Sequence, residues 1–568
     1  MVKSMSRRTG ALAMVILAAV FVMVNRAAYK GYFQDDELDM LGWAPHVPLA
    51  DFLEGIVTPR FYVNNFRPVG HLYFHEAGLR FGLDFPKYVA VLQFLHLFNV
   101  WLLWTVARQL RAPPAAALVS CLFFAFHMAL FDAFWKPMYV FDVLCGTFCL
   151  LAILFWTQRR WVLSFVAFWL AYKAKELAVM LPVVLACYEI WLGERKWKPL
   201  IPFFAASLSF GLQGLALNPN KDNDYTFRFN FAALRQTSVY YASRVFLVPY
   251  LGFLAPLAAF PGRNRRSWFG LAMAAILFFP ILFLPGRIFS PYCYLPFTGL
   301  ALALSGLAEA VGAVPVAILL LLFAPLDLHE LRSRRNVTLA HDDQVRAWVT
   351  AVRDFAKSSP TPDAVVWSGS IPDFEAWGVE GAIHYLFRPD MPIANASAPE
   401  AAKLSQGARV AYIVWTPNLH RAAVTQYTHD IADTSYVDFN GDTPVWQLLQ
   451  GWFDVEGTFR WTGPTALARL TRPPGARRFV LRVLVAGESL QAVGPITIRV
   501  WLNDRELVPR RFTEGGWQDV HWDLPEEYAG PVHMKLQTDP PFHPSSESRT
   551  LGVAVGAFGF LSADSNPR

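Results

Sequence analysis

Charge is scarce in this chain. Only 17% of its 568 residues are Asp, Glu, Lys or Arg, against 54% hydrophobic and 15% aromatic. An average soluble protein carries about a quarter charged residues, so a wholly soluble reading is excluded and the membrane class is indicated. The net charge of +6 is too small to imply a nucleic-acid partner. Much of it sits in short clusters between apolar runs, where it acts as a topology signal. Cysteine is sparse too: Cys121, Cys145, Cys149, Cys187 and Cys293 all lie in or beside apolar runs. That excludes a disulfide framework or a zinc spacing, and fits a bacterial envelope protein whose soluble part folds without bridges. Solenoid repeats and low-complexity tracts are absent. The first apolar run, Ala11–Ala28, follows Lys3, Arg7 and Arg8 without a small-residue cleavage site, so it reads as a retained anchor.

Up to about Leu328 the chain is a series of long apolar runs, and beyond it soluble composition takes over. After the first run come Tyr88–Ala107, Ala115–Phe131, Tyr139–Thr157, a pair within Trp161–Leu192, Leu200–Leu217, Val239–Phe260, Trp268–Leu284, Tyr292–Leu307 and Gly312–Leu326. At about 20 residues per crossing this predicts roughly eleven spans. The basic clusters Lys3/Arg7/Arg8, Arg108/Arg111, Arg159/Arg160, Arg195/Lys196/Lys198 and Arg263/Arg265/Arg266 then fall on one side. The positive-inside rule makes that side cytoplasmic. The amino terminus is expected inside. The loop Asn218–Gln236 and everything after the last span are expected outside, in the periplasm of an inner-membrane protein.

The expected organisation is a polytopic α-helical membrane domain over 1–328, a small periplasmic α/β domain over 329–447, and a jelly-roll-like β-sandwich over 448–568. In the α/β part His341–Lys357, Phe374–Phe387 and Asn418–Tyr427 read as helices, and Ala364–Ser368 and Val410–Thr416 as strands. In the sandwich Phe479–Val485, Ile496–Leu502, Val532–Gln537 and Leu551–Phe560 read as strands. Its Trp501, Trp517 and Trp522 read as core before they read as a sugar-stacking surface.

Two stretches carry chemistry. Directly after the first apolar run stands Asp35-Asp36-Glu37, with Asp39 close by, at the expected outer surface. Carboxylates there are costly unless water, a cation or a reaction uses them, and one in reach of an acceptor hydroxyl can serve as a base. The second is Trp161–Leu192, too short for two full spans and interrupted by Lys173-Ala174-Lys175-Glu176. Buried lysines supply donors where the negative charge of a leaving phosphate develops. Val63–Phe81 mixes apolar, aromatic and charged residues as an interfacial helix does. In it His71 and His75, beside Glu76, have an i, i+4 ligand spacing but no third partner at fixed spacing, so they read as polar-face residues.

Five elements in one order resemble the GT-C glycosyltransferase superfamily, which takes sugars from polyprenyl-phosphate carriers. They are Asp35-Asp36-Glu37; Asn65-Phe66-Arg67-Pro68-Val69; Phe126-His127-Met128 with Trp135 and Asp142; Lys175-Glu176 followed by Pro182; and Tyr292-Cys293-Tyr294-Leu295-Pro296. The pattern is most similar to the tetratricopeptide-bearing transmembrane O-mannosyltransferases, without their repeats, and the lysine is also similar to that of the aminoarabinose transferases. In the third element His-Met replaces His-Pro and an arginine is missing. In the last, Pro291 stands where the relatives have arginine, and Arg287 lies four residues earlier.

The resemblance implies a membrane glycosyltransferase that moves a sugar from a polyprenyl-phosphate to a hydroxyl on a periplasmic acceptor, with inversion. Asp36 or Asp35 is then the base, with Asp36 favoured because Asp36-Glu37 matches the Asp-Glu order of several branches. Lys175, Arg67, Glu176, Lys173, Arg287, Glu37, Tyr292 and Tyr294 make up the substrate-binding set. No cofactor is implied beyond the lipid-phosphate donor, and the sequence offers no convincing metal constellation. Expected partners are the bilayer, the polyprenyl-phosphate-linked sugar and a glycan, lipid or protein acceptor, with no nucleic acid. Two other classes remain open. A lipid-linked glycan flippase needs polar residues through the midplane and repeated halves, neither of which is evident. An inactive scaffold acts through a carbohydrate-binding outer domain.

Overall fold

The acidic stretch after the first apolar helix opens a helix of its own. In this computed structural model α1 (Arg7–Val24) is followed by α2 (Asp35–Trp43), α3 (Leu49–Val57) and α4 (Pro68–Phe81). Residues 7–60, 67–217, 224–261, 264–369, 371–404, 409–417, 420–428, 433–440, 445–525, 529–545 and 548–561 are described. Gln34 and Glu37 close a reciprocal capping box at the start of α2, so three acids fill its first turn. Negative charge there complements the helix dipole.

The expected interfacial helix Val63–Phe81 divides differently. Residues 63–66, with Asn65 and Phe66 of the second element, lie outside the described residues. The rest, α4, is packed inward, because a Cβ on Gly70 would come within 2.1 Å of the Phe141 ring and one on Gly78 within 2.6 Å of Pro45. The exposed apolar stripe falls on α3 instead, at Leu49, Leu53 and Val57.

The chain continues through α5 (Phe85–Gln109), α6 (Pro114–Phe126), the single turn α7 (Asp132–Trp135), α8 (Val140–Thr157), α9 (Trp161–Ala174), α10 (Leu181–Trp191) and α11 (Ile201–Leu217). Then come α12 (Phe231–Val245), α13 (Arg265–Phe278), α14 (Tyr294–Val311) and α15 (Ala313–Ser358). Among the described residues five helical stretches are long and apolar enough to cross a membrane, and shorter apolar helices accompany them. The chain is a multi-pass membrane protein. The expected span Val239–Phe260 is not one helix. After α12 the backbone takes positive φ at Leu247 and Tyr250 and continues as a 3-10 segment, Leu251–Ala259. Pro249 and Pro256 remove the donors a continuous helix needs. Helices α13 and α14 pack backbone to backbone, where a Cβ on Gly270 would sit 2.6 Å from the Gly299 carbonyl oxygen. Small residues at such a crossing let two backbones meet.

The membrane unit ends at Ala340, and His341–Arg568 forms a second compact unit. This second unit starts with a four-stranded sheet in the order β2 (Ile393–Asn395), β1 (Ala364–Ser368), β3 (Arg409–Thr416), β4 (Arg421–Thr428). Strand β1 is parallel to β2 and β3, while β4 is antiparallel to β3. The expected helix Asn418–Tyr427 is thus mostly β4, with residues 418–419 outside the described set. It pairs residue by residue with β3, Arg421 opposite Thr416 through Thr428 opposite Arg409, a long-range pairing that leaves no local pattern.

Ten further strands, β5 (Tyr436–Asp438), β6 (Leu448–Glu456), β7 (Phe459–Arg472), β8 (Arg478–Val485), β9 (Ile496–Leu502), β10 (Arg505–Glu506), β11 (Arg510–Phe512), β12 (Gly516–Asp523), β13 (Gly530–Asp539) and β14 (Ala554–Leu561), form one antiparallel network. They are not two separate sheets because the 14-residue β7 pairs with β6, β13 and β14 and carries the ladder across. Leu481, Val483, Ile498, Val500, Leu536 and Phe558 build the core. Trp522 is in that core, whereas Trp517 is 41% exposed.

Candidate active site

The turn that starts α2 presents its three acids differently. Glu37 is 2% exposed. Its Oε2 accepts from the Gln34 backbone N–H and its Oε1 from that of Met138, each at 3.0 Å. Glu37 therefore fastens α2 to the turn ahead of α8. Burial pushes its carboxyl up to about 7, against the pull of those two bonds and of Lys136. Asp36, one residue earlier, is exposed, and Asp35 is half-buried.

Lys175 interrupts the short hairpin as an extended residue between α9 and the 3-10 turn Glu176–Met180. Its ammonium donates to Asp142 Oδ2 at 2.7 Å and lies 4.8 Å from the centre of the Tyr292 ring. Arg67, at the head of α4, grips Glu176 with a two-pronged bond, Nε to Oε2 at 2.9 Å and Nη2 to Oε1 at 2.7 Å. Burial disfavours the Arg67 charge, but Glu176 outweighs it and holds the guanidinium above its ordinary range.

Arg287 lies 4.6 Å from the ring centres of both Tyr225 and Phe289. Burial opposes its charge, while Tyr292, Tyr225, a Tyr292 hydrogen bond and Asp36 raise its pKa. Tyr292 thus stands between Arg287 and Lys175. The turn that bears it is braced by Arg334, whose Nη2 donates to Ser290 Oγ at 3.2 Å while its Nη1 meets Asp132 at 3.3 Å.

The structure therefore brings Arg287, Tyr292, Lys175, Arg67 and Glu176 together through Tyr292 and the Lys175–Glu176 turn, with Asp36 exposed at the start of α2. Asp142, seen in the sequence as part of a motif but not as a site residue, completes the group. The available signal was an acid inside an apolar helix, which needs a buried cation partner. Besides Glu37, fastened to Gln34 and Met138, two expected members of the binding set are placed elsewhere. Lys173 donates to the Arg60 carbonyl at 3.3 Å and lies over Trp169 and Phe210. Tyr294 faces the helix core, where its oxygen accepts from Asn99 Nδ2 at 3.0 Å. The His96 Nε2–H donates to Ala125 O at 3.3 Å, which leaves Nδ1 to accept the Tyr294 hydroxyl proton at 3.0 Å. His71 packs edge-on against Trp43 and Phe141, and burial followed by the Arg67 charge lowers its pKa to about 3. His75 Nδ1 meets Ala44 O at 2.9 Å.

Chemically, the cluster is a set of oriented cations with donors to spare. Lys175 has three N–H bonds and Arg67 five, and their carboxylates occupy one and two of these. The Arg287 Nε is buried without a hydrogen-bond partner. An anion arriving among them finds donors already aimed.

No family model and no curated protein matches the chain. Among solved structures it is similar to the mycobacterial arabinofuranosyltransferase AftD, with 13% identity and a TM-score of 0.46 over 99% of this chain. It spans 59% of the AftD chain. It is also similar to ArnT from Cupriavidus metallidurans bound to undecaprenyl phosphate, with 14% identity and a TM-score of 0.43 over 73% of this chain and 98% of that one. The oligosaccharyltransferase of Archaeoglobus fulgidus gives 10% identity and a TM-score of 0.43, covering 98% of both chains. All three are glycosyltransferases, and likeness at this level assigns no residue a role.

Proposed function

We propose that the chain is a membrane glycosyltransferase that moves a sugar from a polyprenyl-phosphate to a hydroxyl of an extracytoplasmic glycan, lipid or protein, with inversion. The amino terminus is cytoplasmic and the carboxyl-terminal unit lies on the outer side. The observation that carries this reading is the buried Lys175, 4.8 Å from the centre of the Tyr292 ring and next in sequence to the Glu176 that Arg67 grips. Lys175 and Arg67 make the anion clamp, and the exposed Asp36 supplies the base.

In the reaction, the Asp36 carboxylate takes the proton of the acceptor hydroxyl. The freed oxygen pair attacks the anomeric carbon from the face opposite the phosphate. The carbon–oxygen bond to phosphate breaks, and that oxygen keeps the pair. Lys175, Arg67 and Arg287 donate to the phosphate as its charge grows. Glu176 and Asp142 hold two of these cations in place, and Glu37 holds the turn that bears the base.

The test is sugar release from a lipid-phosphate donor. Positioned acid–base groups contribute about 10²–10⁴-fold, so Asp36→Asn should lower turnover by at least about 100-fold with expression and melting temperature unchanged. Unaltered turnover in both Asp36→Asn and Asp35→Asn overturns the assignment.

A further inference from the structure

The carboxyl-terminal unit holds a cavity of about 450 Å³ at one end of its ten-stranded network. Arg472, at the end of β7, and the Asn503–Asp504–Arg505 turn between β9 and β10 supply its polar lining, while Leu502 and Phe560 supply apolar wall. That size suits a small ligand. What distinguishes it is an excess of positive charge, two arginines against one acid, Asp504.

Arg472 is 8% exposed and has no carboxylate partner among the described residues. Its Nε and Nη2 are spent on the backbone carbonyls of Ala476 and Pro525, and among the described residues Nη1 has no partner. The guanidinium lies 5.9 Å from the centre of the Phe560 ring. Arg505, exposed on the adjoining turn, has no carboxylate partner among the described residues either, and after burial its charge is the second cause that depresses the Arg472 pKa. Two guanidinium groups facing one cavity outnumber its single acid, Asp504, and their mutual repulsion is relieved when a further anion enters.

The turn itself is rigid. Asn503 takes a φ of 55°, its backbone N–H donates to His533 O at 2.7 Å, and its Oδ1 accepts the His533 N–H at 2.8 Å. The Nδ2 amide is left as a donor at the rim. Asp504 beside it can accept hydroxyl protons but repels a bare inorganic anion. The apolar wall of Leu502 and Phe560 suits the C–H face of a sugar ring, which such an anion leaves unused.

We infer that this cavity binds an anionic saccharide, one acid group of which pairs with Arg472 and Arg505 while its hydroxyls meet Asn503 and Asp504. The site belongs to the carboxyl-terminal unit and is read by binding alone, so it stands or falls separately from the transfer reaction.

The experiment is calorimetric titration of the full chain in detergent at about 150 mM salt. The probes are trigalacturonate, its neutral counterpart galactotriose, glucose 6-phosphate and inorganic phosphate. Binding of trigalacturonate or glucose 6-phosphate supports the site, and the tighter of the two says whether a carboxylate or a phosphate ester is the natural acid. Galactotriose should bind at least about tenfold more weakly, and Arg505→Gln should weaken the acidic probe by about tenfold or more, the value of a charge-assisted hydrogen bond. Arg472→Gln should do the same. If that buried change unfolds the unit, the exposed Arg505→Gln carries the test alone. Equal binding of galactotriose, indifference to Arg505→Gln, failure of both acidic saccharides to bind, or equal affinity for inorganic phosphate overturns the inference.

Discussion

At the scale of single residues, the Lys175–Asp142 pair makes the sharpest prediction. Their side chains are 8% and 5% exposed and 2.7 Å apart. Removing one partner strands the other as a buried charge, which typically costs about 3–5 kcal/mol, whereas replacing both is far milder. Lys175→Met should therefore lower the melting temperature in detergent sharply. Lys175→Met with Asp142→Leu should recover most of it while sugar release stays lost. If the double variant also regains turnover, Lys175 serves structure alone. Glu37 yields a pH signature. Its carboxyl is raised to about 7 from an ordinary value near 4.5. Between those values the native state holds a proton that the unfolded chain has released, so the Glu37 contribution is full below about pH 4.5 and is lost as pH rises through 7. The melting temperature of Glu37→Gln relative to the parent should climb steadily from pH 5 to pH 8, on top of a constant offset from the lost acceptor. A flat difference would rule out the shifted titration.

Among elements, the α13–α14 contact depends on the absence of side chains. A Cβ on Gly270 would lie 2.4 Å from the Ala303 backbone nitrogen, and backbone cannot step aside. Gly270→Ala should destabilise by about 1–3 kcal/mol, the usual cost of overpacking. Gly211→Ala, with nothing within 4 Å, is the control and should be neutral or slightly stabilising. Comparable melting temperatures for the two variants would contradict the packing described. Legibility in the sequence varies at this scale. The break at Lys175 is legible because a stretch with cytoplasmic charge at both flanks and too few residues between must turn back. The direction of Lys173 is not, since it depends on the helix holding through Ala174 and turning that side chain toward Arg60. The pairing of Lys175 with Asp142 joins residues 33 positions apart and leaves no local pattern. Strand β7 is hidden because Gly463-Pro464 reads as a turn, yet Pro464 is exposed within the strand, as an irregular or edge position allows. Val239–Phe260 misleads in the opposite way, since its apolar length outweighs two prolines.

For the whole molecule, the open matter is sidedness, and the cysteines make it measurable. Four of the five are buried and Cys187 is half-buried, so replacing them leaves a background for single reporters. In intact cells a membrane-impermeant maleimide should label Glu514→Cys and leave Arg160→Cys untouched until the membrane is opened. Both residues are exposed in the structure. The reverse pattern would place the carboxyl-terminal unit in the cytoplasm and end the proposed arrangement of base and acceptor.

The shortness of α9 has a consequence for the lipid around it. Its 14 residues rise only about 21 Å, against about 30 Å of hydrocarbon in an ordinary bilayer. Thinning of the bilayer around so short a segment is one way to close that gap. On the proposed function, a carrier entering such a dimple would bring its phosphate to the ammonium without ever leaving the polar layer.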